Sequence, residues 1–134
     1  MAEPFLFINT YKFKPGKEEE YRAAFQEVAD IVDAQEPKML YFAEHVTEDG
    51  SQATTVQVHS DPDNMAHHMR LVDKHIREAS EYLDWSSMSI QIFGSPSEAV
   101  LEQMRELAGA GVSVTVSPAE ITVNRLPVPE EQTS

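Results

Sequence analysis

From Phe5 to Lys14 the chain alternates with a period of two. Phe5, Phe7, Asn9, Tyr11 and Phe13 fall on one side, and Leu6, Ile8, Thr10, Lys12 and Lys14 on the other. Aromatic and β-branched residues in that rhythm predict a strand covered in part on both faces. Pro15-Gly16 stops it. From about Lys17 to Ala34, Tyr21, Ala24, Phe25, Val28, Ile31 and Val32 recur at helical spacing, with Glu18, Glu19 and Glu20 in the first turn where the helix dipole favours negative charge. Pro37 closes this helix. Two strands, Met39–Thr47 and Ala53–His59, flank Glu48-Asp49-Gly50-Ser51, whose Asp-Gly pair signals an antiparallel hairpin.

A second helix is predicted from about Pro62 to Leu83, capped by Ser60 or Asp61, with Met65, His68, Met69, Val72, Ile76 and Ala79 as its inward stripe. A fourth strand follows at Ser86–Phe93. Ser95-Pro96-Ser97-Glu98 resembles a capping box with proline at the first helical position, and Val100, Leu101, Met104 and Leu107 line the third helix it opens. Val112–Val116 and Ile121–Val123 read as short strands, and the polar tail 127–134 as disordered.

The predicted order, β-α-β-β-α-β with an added α-β, is the split βαβ plan of an α+β, ferredoxin-like antiparallel sheet. It suggests one domain over residues 1–126, with a core at 5–93 and an extension at 95–126. Helices on one face leave the other face of such a sheet bare, and a second copy is the simplest cover. A homodimer, forming a dimeric α/β barrel, is therefore expected.

Composition narrows the function. With 134 residues and no cysteine, the chain has no disulfide, thiolate metal site or cysteine nucleophile. Ten basic residues against 23 acidic ones give a net charge of −13, which disfavours nucleic acid. No apolar run approaches the roughly 20 residues needed to span a bilayer. Met1-Ala2-Glu3-Pro4 lacks the basic flank and apolar stretch of a signal peptide, so a cytoplasmic protein without nucleic-acid or membrane partners is expected. The sequence contains no G-x-G-x-x-G, Walker, H-E-x-x-H or G-x-S-x-G signature.

Three stretches carry a family likeness: Asn9-Thr10-Tyr11-Lys12-Phe13-Lys14-Pro15-Gly16-Lys17, Glu36-Pro37-Lys38-Met39-Leu40-Tyr41, and Met65-Ala66-His67-His68-Met69 followed by His75-Ile76. In this order, over Phe5 to Phe93, the chain resembles the antibiotic biosynthesis monooxygenase superfamily of dimeric α/β-barrel proteins, which includes quinol-monooxygenase-like and haem-degrading members. It departs from them at Gln57-Val58-His59, where many members carry an acidic residue and an aromatic, and at Lys38, where a glycine is usual. The resemblance implies an asparagine lining the pocket at Asn9, and a monooxygenase that needs no cofactor and acts on a small aromatic or quinol-like substrate.

Asn9 is the one polar side chain in its row, able to bond a substrate oxygen or simply a neighbouring backbone group. His68 and His75 lie two turns apart on one side of the second helix. They can serve as base and hydrogen-bond donor, or pair structurally with Glu44 or Asp73. Phe7, Tyr11, Tyr41, Met65 and Trp85 are the expected substrate-binding side chains, against the plainer reading of Trp85 and the methionines as packing. His59, Asp61, Asp63, His67 and His68 offer metal donors, yet the two aspartates also suit a helix N-terminus. No metal or cofactor is expected. The competing function is a non-catalytic dimeric module that binds a small apolar ligand or a partner protein.

Overall fold

A computed structural model describes residues 4–118 together with Val123 and Arg125. The elements are β1 (Phe5–Phe13), α1 (Glu18–Gln35), β2 (Met39–Val46), β3 (Gln52–His59), α2 (Pro62–Ala79), β4 (Leu83–Phe93), α3 (Glu98–Gly109) and β5 (Ser113–Ser117). They form a five-stranded sheet in the order β2-β3-β1-β4-β5, antiparallel throughout except that β5 runs parallel to β4. The first four strands are the predicted ferredoxin-like sheet, and α3–β5 is a crossover that extends it. Of the strand expected at Ile121–Val123 only Val123 is among the described residues, and the tail 127–134 lies outside them.

β1 is central, and its period of two decides what the helices cover. Phe5, Phe7, Asn9, Tyr11 and Phe13 face the helical layer, opposite His59, Gln57, Thr55 and Ala53 of β3 for the first four. Phe5, Tyr11, Met65, Ile92 and Val100 are almost wholly buried in the main core. A satellite core of Val28, Val32 and Val72 joins α1 to α2. Each such large apolar side chain contributes roughly 1.5–3 kcal/mol when buried. Among the described residues no helix covers the other sheet face. It carries Leu6, Ile8, Val56 and Val58, with Tyr41 and Phe93 well exposed beside them.

Three local expectations change. α2 ends at Ala79 rather than Leu83: a 3-10 turn over Ser80–Tyr82 follows, and Leu83 already pairs with Phe13 in β4. β4 is thus longer than predicted, because a register shift opposite Thr10–Lys12 reverses its face parity. Leu83 and Trp85 therefore share the inner side with Met88 and Ile90, a break that hides the alternation from a sequence reading. At α3 the cap is Ser97, whose Oγ accepts from the Val100 amide at 3.4 Å. Pro96 then precedes the cap instead of opening the helix, and the third helical residue is Val100, so no capping box forms. Asp61, the expected alternative to Ser60, caps α2 by accepting from the Asn64 amide at 2.9 Å.

Candidate functional site

Between the inner sheet face and all three helices lies a cavity of about 220 Å³. Its floor is Phe7, Asn9 and Tyr11 of β1, Thr55 and Gln57 of β3, Phe42 of β2, and Leu83, Trp85, Met88 and Ile90 of β4. Tyr21, Phe25 and Val28 of α1 close one side; His68, Met69, Asp73, Ile76 and Ala79 of α2 form the roof; Gln103, Met104 and Leu107 of α3 close the far side. The lining is mostly apolar and aromatic, with a few polar groups that can fix an orientation.

The polar end is built around His68. Its Nδ1 lies 2.6 Å from Glu36 Oε2, with side-chain exposures of only 1% and 0%. When the imidazole is neutral and Nδ1 donates to the carboxylate, Nε2 is left with its lone pair. Among the described residues Nε2 is buried with no hydrogen-bond partner, as are Asn9 Oδ1 and Glu36 Oε1. Glu36 takes the place anticipated for Glu44 or Asp73. It follows the last turn of α1, where its amide donates to the Val32 carbonyl at 2.9 Å and the Pro37 turn then aims the chain into β2. The Glu36-Pro37 pair was visible in the sequence, but its distance of 32 residues from His68 gave no cue to the contact.

Glu44 belongs to a second network. Tyr11 donates to Glu44 Oε2 at 2.6 Å, and its hydroxyl also lies 2.7 Å from that of Tyr21 and 2.8 Å from Thr55 Oγ1. Burial, then the neighbouring Tyr21 and Glu44, push the Tyr11 hydroxyl well above the usual phenol range. Burial likewise raises Glu44, against the opposing Tyr11 hydrogen bond. Tyr11 therefore stays protonated and presents its ring, not a free hydroxyl, to the cavity.

His59 sits under His68, with ring centroids 6.0 Å apart, and stacks on Phe5 at 4.8 Å. Its Nε2 bonds Gln57 Oε1 at 2.8 Å and its Nδ1 bonds Asn64 Nδ2 at 2.9 Å. Burial, with His68 nearby, lowers its pKa to about 3. Both ring nitrogens are thus committed to amides, and among the described residues no three histidine or carboxylate side chains converge as a metal site.

Of the expected site residues, Asn9, His68, Phe7, Tyr11 and Trp85 line the cavity and three do not. Tyr41 pairs with Val58 after a register shift in β2 and so points to the outer face, where its hydroxyl lies 3.1 Å from His45 Nε2. Met65 is fully buried in the core, one turn before His68. His75 is half-buried and its Nδ1 has no partner among the described residues, but it lies outside the wall. At about 100° per residue, the arc of α2 facing the cavity runs from His68 round to Asp73, and His75 falls just beyond the His68 edge. Sequence reasoning missed Glu36 and Gln57 as site residues, along with the α3 wall.

No family model matches the chain, and no curated protein matches it in sequence. Its fold matches solved structures. MupZ from Pseudomonas fluorescens superposes with a TM-score of 0.71 at 16% identity, covering 92% of this chain and 95% of that one. A candidate antibiotic biosynthesis monooxygenase from Caulobacter crescentus CB15 gives 0.62 at 17% identity, over 68% and 88%. A point mutant of SnoaB from Streptomyces nogalater, a cofactor-independent oxygenase, gives 0.59 at 15% identity, over 72% and 96%. The chain has the antibiotic biosynthesis monooxygenase-like, ferredoxin-like fold. The MupZ match leaves too little of the chain outside it to omit α3 and β5.

Proposed function

We propose that this chain is an oxygenase that uses no bound cofactor and acts on a small phenolic or quinol-like aromatic held in the cavity. The observation that carries the proposal is the buried Glu36–His68 pair: His68 lines an apolar cavity, and among the described residues its Nε2 has no hydrogen-bond partner. A carboxylate on Nδ1 fixes the tautomer and stabilises the imidazolium that forms when Nε2 accepts a proton. His68 removes the phenolic proton, and the electron pair stays on the substrate oxygen. The electron-rich anion then reduces dioxygen. One oxygen atom enters the ring as a carbonyl; the other leaves as water with the two hydrogens the substrate loses. Asn9 bonds the oxyanion, and Phe7, the Tyr11 ring and Trp85 hold the aromatic plane. The water-poor lining strengthens each of these polar contacts.

A homodimer is part of the same proposal. The outer face, with Leu6, Ile8, Val56, Val58, Tyr41 and Phe93, is an apolar strip that no helix among the described residues shelters, and a second copy of the chain fits it. Ile8→Glu is expected to leave a folded monomer by sedimentation.

Oxygen uptake with a panel of hydroquinones and anthrones tests the activity. His68→Ala is expected to lower kcat by about 100-fold or more, and Asn9→Ala and Glu36→Gln by about tenfold or more. Trp85 is the only tryptophan and lines the cavity, so its emission reports occupancy independently of turnover. A change in Trp85 emission without oxygen uptake on any substrate would replace the oxygenase with a non-catalytic binding module.

A further inference from the structure

Three polar side chains meet at one end of the cavity. On β3, Gln57 lies opposite Phe7 of β1 and Phe42 of β2. His68 packs against that same Phe42, with ring centroids 5.5 Å apart, and against His59, the residue two places along β3 on the same face. Asn9 is the diagonal neighbour, paired with Thr55. Gln57 and Asn9 are thus diagonal neighbours on the cavity floor, and the His68 ring stands by the Phe42 and His59 that flank Gln57.

We propose that Gln57 is a further substrate-binding residue, donating its side-chain N–H to the oxygen from which His68 takes a proton, and that His59 is the positioning residue that turns this donor toward the cavity. This inference rests on the oxygenase reading and specifies its substrate: an aromatic whose ring carries an ionisable hydroxyl, bound as the anion.

The direction of a hydrogen-bond chain carries the inference. Asn64 Nδ2 donates to His59 Nδ1 at 2.9 Å, so the neutral ring holds its proton on Nε2, which donates to Gln57 Oε1 at 2.8 Å. The Gln57 carbonyl is thereby occupied, and its NH2 is the end left for the cavity that Gln57 lines. Reversing any one amide would force the whole chain to reverse, because each link has a single donor. The lowered pKa of His59 keeps its ring neutral, with one donor and one acceptor. Hydrogen bonds to a charged oxygen are the stronger class, and a donor fixed in advance does not have to reorganise when charge develops.

The probes are 4-nitrophenol, whose phenolate absorbs in the visible, and nitrobenzene, which fills similar space without an ionisable oxygen. Both are titrated into the full chain at the pH where free 4-nitrophenol is half ionised. The wild type is expected to bind the probe mainly as phenolate, at least tenfold tighter than nitrobenzene. Gln57→Met removes the donor at similar volume, and Gln57→Glu replaces it with an acceptor of the same shape. Both are expected to cut the phenolate preference about tenfold or more while leaving nitrobenzene affinity within about threefold. His59→Phe keeps the stack on Phe5 but frees the Gln57 amide, and the bound phenolate band should shrink likewise. A purely structural role for His59 would not alter the ionisation of a bound probe.

If Gln57→Met retains the wild-type preference, or if the wild type binds nitrobenzene and the neutral phenol equally well, the Gln57 donor is refuted while the aromatic cavity stands. If neither probe binds, both the donor and the oxygenase reading fall. Should His59→Phe fail to fold, the two Gln57 variants decide alone.

Discussion

Acid should unfold this protein earlier than its many surface carboxylates would suggest, and His59 should be the reason. The ring is fully buried, and its pKa is lowered from about 6.5 to about 3. Between those values the unfolded chain binds a proton that the folded chain refuses, so stability falls as pH falls. Integrating the linkage from pH 7 to pH 4.5 with these two values gives a loss of roughly 2–3 kcal/mol. Glu44 acts in the opposite sense, since burial raises its pKa and the folded state takes up its proton first, which offsets part of the loss on acidification. Urea unfolding read by circular dichroism at the two pH values measures the sum. With a slope of about 2 kcal/mol/M, the midpoint should drop by roughly 1 M, and by more in Glu44→Gln, which lacks the offset. His59→Phe should start lower at pH 7, because Gln57 and Asn64 each lose a buried partner, at about 1–3 kcal/mol for each group left unsatisfied. Its midpoint should then change far less with acidification. Parallel curves for wild type and His59→Phe, or a His59 imidazole that titrates near 6.5 by NMR in the folded state, would refute the account.

Two further outcomes follow from the packing. Tyr11→Phe removes the hydroxyl that joins Glu44, Tyr21 and Thr55, and should lower unfolding free energy by about 1–3 kcal/mol, measured by urea titration at neutral pH; an unchanged midpoint would mean that the network contributes nothing. Gly94→Ala should destabilise by more than about 1 kcal/mol in the same assay, since Gly94 has φ +117° and an added Cβ would lie 2.6 Å from the Phe5 Cβ; a neutral or stabilising result would contradict the close approach of β1 to the end of β4.

Much of this architecture is legible in the residue pattern, because each element has its own period and each boundary its own stop. The odd row of β1 announces the inner face directly, and Asp49-Gly50 marks the hairpin: the Asp49 carboxylate takes the Ser51 amide at 3.0 Å, and Gly50 has φ +76°. The site is legible only in its parts. Asn9 and His68 stand out as polar groups in apolar rows, yet the partner of His68 depends on where the α1–β2 turn delivers Glu36, which local pattern does not encode. Tyr41 reads as a pocket residue until the β2 register shift turns it outward. Trp85 shares the inner face with Met88 only because of the irregularity in β4. The place of Gln57 on the cavity floor is invisible without the pairing of β3 with β1 and β2, which sets its amide beside His59.

The α3 wall has a consequence for how such a molecule could diversify. Gln103, Met104 and Leu107 close one side of the cavity from a segment joined to the rest at Gly94 and Gly111, both with positive φ. The buried Glu36–His68 pair belongs to other elements, α2 and the α1–β2 turn. Side chains on that outer panel can therefore be exchanged to reshape the cavity while the Glu36–His68 contact keeps its spacing. The shape of the cavity and its buried pair are written on separate pieces of the chain, and each can drift without erasing the other.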